Sequence, residues 1–245
     1  MTKNQLIALY VISTAAIAAC FFMPPIAQDQ AYHRFADAHS WASVPNFWNV
    51  ISNLPFAIIG ILGMTRLRAI DYSLKASYIW FFVGICCTGF GSGYYHWHPT
   101  DATLIWDRLP MTVSFMAFLS IVIGEFIDAD AGKKLLYPLL LLGLSSIATW
   151  VLTDDLRMYA LIQFLPIFLI LIVLFLSKKE IRYKKYFWLM VVCYTMAKFL
   201  EGYDAYIYVV SREWMGGHAL KHLAAAAAPF FFYKFVGRKF NPERP

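Results

Sequence analysis

Eight stretches of this chain are apolar over roughly the ~20 residues that an α-helix needs to cross a bilayer core. They lie at 6–24, 48–65, 77–97, 107–125, 135–151, 157–176, 187–207 and 217–236. In lipid every backbone N–H and C=O must be paired within its own segment, so the runs are read as helices. The expected fold is an all-α integral membrane protein, a seven-transmembrane-helix core plus one extra N-terminal transmembrane helix. Pro24-Pro25, Pro99 and the polar clusters at 128–134 and 178–185 separate the runs. No repeat or low-complexity linker divides them, so residues 1–245 read as a single membrane domain. Hydrophobic residues make up 60% of the chain and charged ones 15%, which argues against a soluble fold.

The run at 6–24 has two readings. Lys3, the apolar stretch and Ile17-Ala18-Ala19-Cys20 resemble a secretory signal with a lipoprotein-type cleavage box. The stretch continues through Phe21, Phe22 and Met23, however, and small residues are common in spanning helices. An uncleaved helix, a possible signal anchor, is the expectation.

Loop charge tests the helix count. With eight crossings, the loops on the side of the N-terminus hold fifteen Lys and Arg residues, from Lys3 to Arg244, and the opposite loops hold four: Arg34, Arg108, Arg157 and Arg212. One miscounted helix would reverse every later loop and erase this asymmetry. The positive-inside rule therefore puts both termini in the cytoplasm. The net charge of +6 sits in these short loops, a pattern of membrane orientation rather than nucleic-acid binding. Cys20, Cys86, Cys87 and Cys193 lie in apolar runs without CxxC spacing, so neither a disulfide framework nor a thiolate metal site is indicated.

The same topology gathers the chemically capable residues at one depth, near the outer face. His96 closes the third helix, Asp107 opens the fourth, His218 and His222 open the eighth, and Ser52 and Asn53 begin the second. His218 and His222 form His-Ala-Leu-Lys-His, an i, i+4 pair on one helix face able to grip one metal ion. A zinc-protease motif would carry Glu where Ala219 stands, so any general base comes from elsewhere. With His96 as third ligand, the set matches the open three-His site of catalytic zinc. Asp107 is placed to take a proton; alone it would read as a helix N-cap, with Pro110 in the first turn. Ser92, one helical turn before His96, can donate to an oxyanion or orient water; alone it would be a small residue in a close-packed glycine run. A serine nucleophile is the rival use of Ser92, but it leaves the His218–His222 pair unexplained.

Other polar residues have plainer readings. His98 borders the site, and His33 and His39 are expected in solvent. Lys198, Glu201, Asp204 and Lys221 lie at or near membrane depth, where a charge must pair or serve a function. Lys198 and Glu201 are i, i+3; Lys221 can reach Glu201 or Asp204 and so hold the eighth helix, with its two ligands, in place.

These residues resemble a known family. Asn-Phe-Trp-Asn-Val-Ile-Ser-Asn-Leu-Pro-Phe (46–56), GFGSGYYHW followed by WDRLPM (89–111) and GHALKH (217–222) look like the three signature blocks of the alkaline ceramidases. These hydrolases belong to a superfamily that includes the adiponectin and progestin receptors. The resemblance covers roughly residues 46–236. It implies a seven-helix core, Zn²⁺ on His96, His218 and His222, Asp107 as proton acceptor and Ser92 as oxyanion or water-positioning group. The implied reaction is hydrolysis of ceramide or a related N-acyl lipid to a fatty acid and an amine-bearing lipid. Two features depart from the family. Asn46 stands where a calcium-binding Glu is expected and Asp37 is the one nearby carboxylate, so Ca²⁺ control is doubtful; the N-terminal helix is additional. The alternative is a receptor-like, lipid-binding membrane protein with a structural zinc site. A transporter is disfavoured, because no paired discontinuous helices are evident.

Overall fold

The computed structural model describes residues 1–68, 70–179 and 181–241 and is built from α-helices. In chain order these are α1 (Lys3–Phe22), α2 (Phe47–Ile51), α3 (Leu54–Leu67), α4 (Lys75–Trp97), α5 (Asp101–Phe126), α6 (Ala129–Thr153), α7 (Arg157–Leu176), α8 (Lys185–Gly202), α9 (Asp204–Val210) and α10 (Gly217–Phe240). Arg244, among the basic residues assigned to the inner side, lies outside the described residues. Among the described residues, six segments are long and apolar enough to cross a membrane: α1, α2 with α3, and each helix from α4 to α7. Many large apolar side chains face outward, among them Phe22, Leu152 and Phe175, as expected where lipid is the solvent. The protein is an all-α integral membrane protein.

Three of the boundaries that differ from the sequence reading bear on the residues singled out there. The second stretch breaks at Ser52-Asn53, just ahead of Pro55 at the start of α3. The fourth begins at Asp101 rather than Asp107, because Thr100 and Thr103 cap it reciprocally: each backbone N–H meets the other's hydroxyl, at 3.1 and 3.2 Å. Asp107 therefore sits inside the helix and is not its N-cap. The seventh ends at Gly202, and α9 follows as a short separate helix.

The helices fold into two compact units. In the first (Met1–Gln28, Asp71–Phe81 and Met111–Ile181), α1 and α6 both pack on α7. Only Cys20 of α1 is buried, so the helix is held mainly at its C-terminal end. There Leu156 N–H bonds Ile26 O at 2.8 Å, and Arg157 joins Asp155 at 2.7 Å and the Met23 carbonyl. Elsewhere in this unit Ser77 and Ser120 hydroxyls pair at 2.8 Å, and Ser120 donates to Gly132 O.

The second unit comprises Asp29–Ile70, Phe82–Pro110 and the chain from Arg182 onward. Here α10 packs against α8 above all, and also against α3, α9 and α2. Glycines set the approach distances. A Cβ on Gly217 would overlap the Leu200 carbonyl oxygen, and one on Gly89 would lie 2.6 Å from Ala57 N. One on Gly91 would overlap the carbonyl oxygen of Trp106. That carbonyl is the one Pro110, lacking an N–H, cannot bond four residues on, so the glycine approaches a carbonyl its own helix leaves free. The glycine run thus seats α4 against α3 and α5, and Ser92 and His96 are carried in with it.

Candidate metal centre

His96 is on the last turn of α4, and His218 and His222 are on the first two turns of α10. All three are buried, at 1%, 7% and 6% exposure. One ring nitrogen from each lies within 4.8 Å of the others, and the ring centroids are 4.8–5.0 Å apart. Among the described residues this is the one cluster of three or more His, Cys, Asp or Glu side chains suited to hold a metal ion.

The hydrogen bonds show which ring atoms are committed. Nδ1 of His222 lies 2.8 Å from Ser52 Oγ, across 170 residues of sequence, and Ser52 in turn donates to Asn49 O at 3.3 Å. With Nδ1–H given to Ser52, Nε2 of His222 keeps a free lone pair. His96 Nδ1 and His218 Nε2 are buried without any hydrogen-bond partner. An unpaired polar atom buried in this way is costly, and a shared cation would satisfy two of them on converging rings. The site fits a metal: three neutral imidazoles, with one nitrogen oriented by a hydroxyl behind it.

A model of the ceramidase family matches residues 39–233. The chain belongs to that family. No curated protein matches it. The ceramidase match takes in α2 to α9 and most of α10, and with them every residue of the centre.

Around the imidazoles, this ceramidase-family chain sets a polar shell. Ser92 and Asp107 are both buried, one on α4 and one on α5, where Gly91 meets the carbonyl of Trp106. Glu201 bridges Lys198 at 2.8 Å and Lys221 at 2.5 Å, tying α8 to α10 between the turns that bear His218 and His222. Asp204 takes a different part from the one considered. Its Oδ1 accepts from His218 N–H at 2.8 Å, and its Oδ2 from Ala36 N–H at 3.0 Å. It caps the start of α10 from outside that helix. Gly216 is required beside it, since a Cβ there would meet Asp204 Oδ1 at 2.5 Å.

Other histidines stand apart. His98 is exposed and outside the cluster. His33, expected in solvent, is instead largely enclosed: its ring nitrogens reach Tyr95 Oη and Asp101 Oδ1, both at 3.0 Å. His39 is exposed and paired with Asp37 at 3.2 Å. Asp37 itself is buried, its backbone carbonyl taken by Asn49 Nδ2 at 2.9 Å. Asn46 adopts a left-handed backbone, and its side chain donates to His96 O at 2.8 Å.

Sequence reasoning missed Phe35. Its ring lies 4.7 Å from both His96 and His218, covering the imidazoles with an apolar face. A lone Phe in a polar loop carries no periodic signal that would reveal this.

Proposed function

We propose that this protein is a zinc-dependent intramembrane amide hydrolase that cleaves ceramide or a related N-acyl lipid into a fatty acid and an amine-bearing lipid. Membership of the ceramidase family supports the reaction class. The observation that carries the reading is the convergence of three buried imidazoles with two unpartnered nitrogens. Bound by His96, His218 and His222, zinc would supply Lewis acidity toward an amide carbonyl and toward water.

The chain's own residues account for the rest. Asp107 accepts the proton as water adds to the acyl carbon, and returns it to the nitrogen as the C–N bond breaks. Ser92, one helical turn before His96, donates to the carbonyl oxygen as charge develops on it. Ser52 fixes the His222 ring, and Asp204 fixes the turn that bears His218. Phe35 restricts bulk water. In the orientation given by loop charge, the centre lies near the outer face with both termini cytoplasmic, and the substrate reaches it from the bilayer. The Ser92–Asp107 pair favours a hydrolase over a receptor-like protein, since a purely structural zinc site needs neither group.

The test is elemental analysis of the detergent-purified protein together with fatty-acid release from a panel of N-acyl lipids. Near-stoichiometric zinc and chelator-sensitive release from ceramide are expected. Zinc without turnover on any amide would favour the receptor-like reading, and absence of zinc after reconstitution would overturn the centre.

A further inference from the structure

A second recess in the same unit has a different chemistry. It has a volume of about 380 Å³ and is lined by His39, Trp41, Phe47, Trp48, Glu213 and Trp214. The rings follow one another at inclined angles rather than stacking. Trp41 meets Phe47 at 4.6 Å and 77°, Phe47 meets Trp48 at 5.1 Å and 74°, and Trp48 meets Trp214 at 4.7 Å and 54°. Trp41 and Trp214 are 65% and 63% exposed, so the recess is open. Glu213 is exposed and, among the described residues, makes no ion pair.

The backbone around the recess is strained. Ala42, Ser43, Asn46, Arg212 and Glu213 all take positive φ, between 46° and 63°, where none is glycine. Ala42 and Ser43 form the centre of a tight turn closed by Trp41 and Val44, which bond each other at 3.1 and 2.9 Å. That turn sets Trp41 beside Phe47, and the kink at Arg212-Glu213 brings Trp214 and the carboxylate to the opposite wall. Left-handed non-glycine residues persist only where the surroundings over-determine them, and they gather at ligand sites.

The geometry points to a binding site for the quaternary ammonium headgroup of a choline-type membrane phospholipid. Aromatic faces attract a weakly hydrated cation through their quadrupoles, and Glu213 supplies the one net charge such a cation needs. Arg212, exposed and also without an ion pair, adjoins it in sequence and suits the phosphate of the same zwitterion. The location selects a lipid: Phe47 and Trp48 open the spanning segment Phe47–Leu67, which puts the recess at headgroup level. This site uses none of the metal-centre residues and stands whether or not the protein hydrolyses amides.

The test is calorimetric titration of the full-length protein in maltoside detergent with dihexanoyl phosphatidylcholine, the matching phosphatidylglycerol, and tetramethylammonium chloride. The choline lipid should bind at least about tenfold more tightly than the glycerol lipid. Glu213→Gln, an exposed change that spares the fold, should weaken it by about fivefold to tenfold. Trp214→Leu should remove binding, and Trp214→Phe should keep most of it. Equal binding of the two lipids, or no effect of Glu213→Gln, would reduce the aromatics to interfacial anchors and overturn the site. Tetramethylammonium binding as tightly as the choline lipid would overturn the lipid as occupant.

Discussion

Helices α1 and α10 are of similar length, 20 and 24 residues, yet they are opposite solutions to life in a bilayer. The first is apolar on every side and buries one residue; the second buries nine, two of them histidines. By length and composition α1 qualifies as a crossing helix, whereas α8 and α10 do not. Hydropathy reports contact with lipid. A helix whose neighbours are protein can carry Lys221, paired with Glu201, and His222, bonded to Ser52, and can bury His218 with a ring nitrogen unpartnered. The three histidines are thus shared between α4, a crossing helix by composition, and α10, which hydropathy alone would not pick out.

Substitutions can sharpen or break this contrast. The largest effect belongs to His222→Ala, which should reduce bound zinc to background and end turnover; retained stoichiometric metal would remove the residue from the centre. Asp107→Ala should keep the metal but lower the rate by about 10²–10⁴-fold, as loss of a proton acceptor does, and an unchanged rate would take it out of the mechanism. Ser52→Ala, which frees Nδ1 of His222, should weaken zinc affinity by about 10–100-fold in a chelator competition. Glu201→Gln leaves two partly buried lysines facing a neutral amide and should cost about 1–3 kcal/mol, read as a lower Tm, with zinc retained at saturating metal.

The smallest effect lies at the end of α1. Arg157 holds the Asp155 carboxyl down at about 2, against about 4 in an unfolded chain. Its folded-state pKa is depressed, so its contribution is full above about pH 4 and is lost as pH falls through about 2. The drop in Tm between neutral pH and about pH 3 should be smaller in Asp155→Asn than in the native protein. An equal drop would mean this tie adds nothing.

The helices and the three histidines were legible because each rests on a local signal: run length, loop charge, or i, i+4 spacing. What escaped depends on distant contacts. The start of α5 at Asp101 turned on Thr100 and Thr103, hidden behind Pro99, while Asp107 and Pro110 imitated a helix start. The break at Ser52-Asn53 falls inside one long apolar stretch, where two polar residues and Pro55 were read as part of a continuous helix. His33 was taken for a solvent residue because nothing nearby in sequence announces Tyr95 and Asp101. Asp204 was recognised as unusual at its depth, but its two backbone partners, 168 and 14 residues away, have no sequence signature.

That carboxylate has a mechanical consequence. One oxygen of Asp204 anchors the amide of Ala36, next to the covering ring of Phe35, and the other anchors the amide of His218. Cover and ligand therefore hang from a single pivot. A lipid chain that displaces Phe35 pulls on the same side chain that steadies His218, so strain at the entrance is transmitted to the imidazole rather than absorbed by the loop.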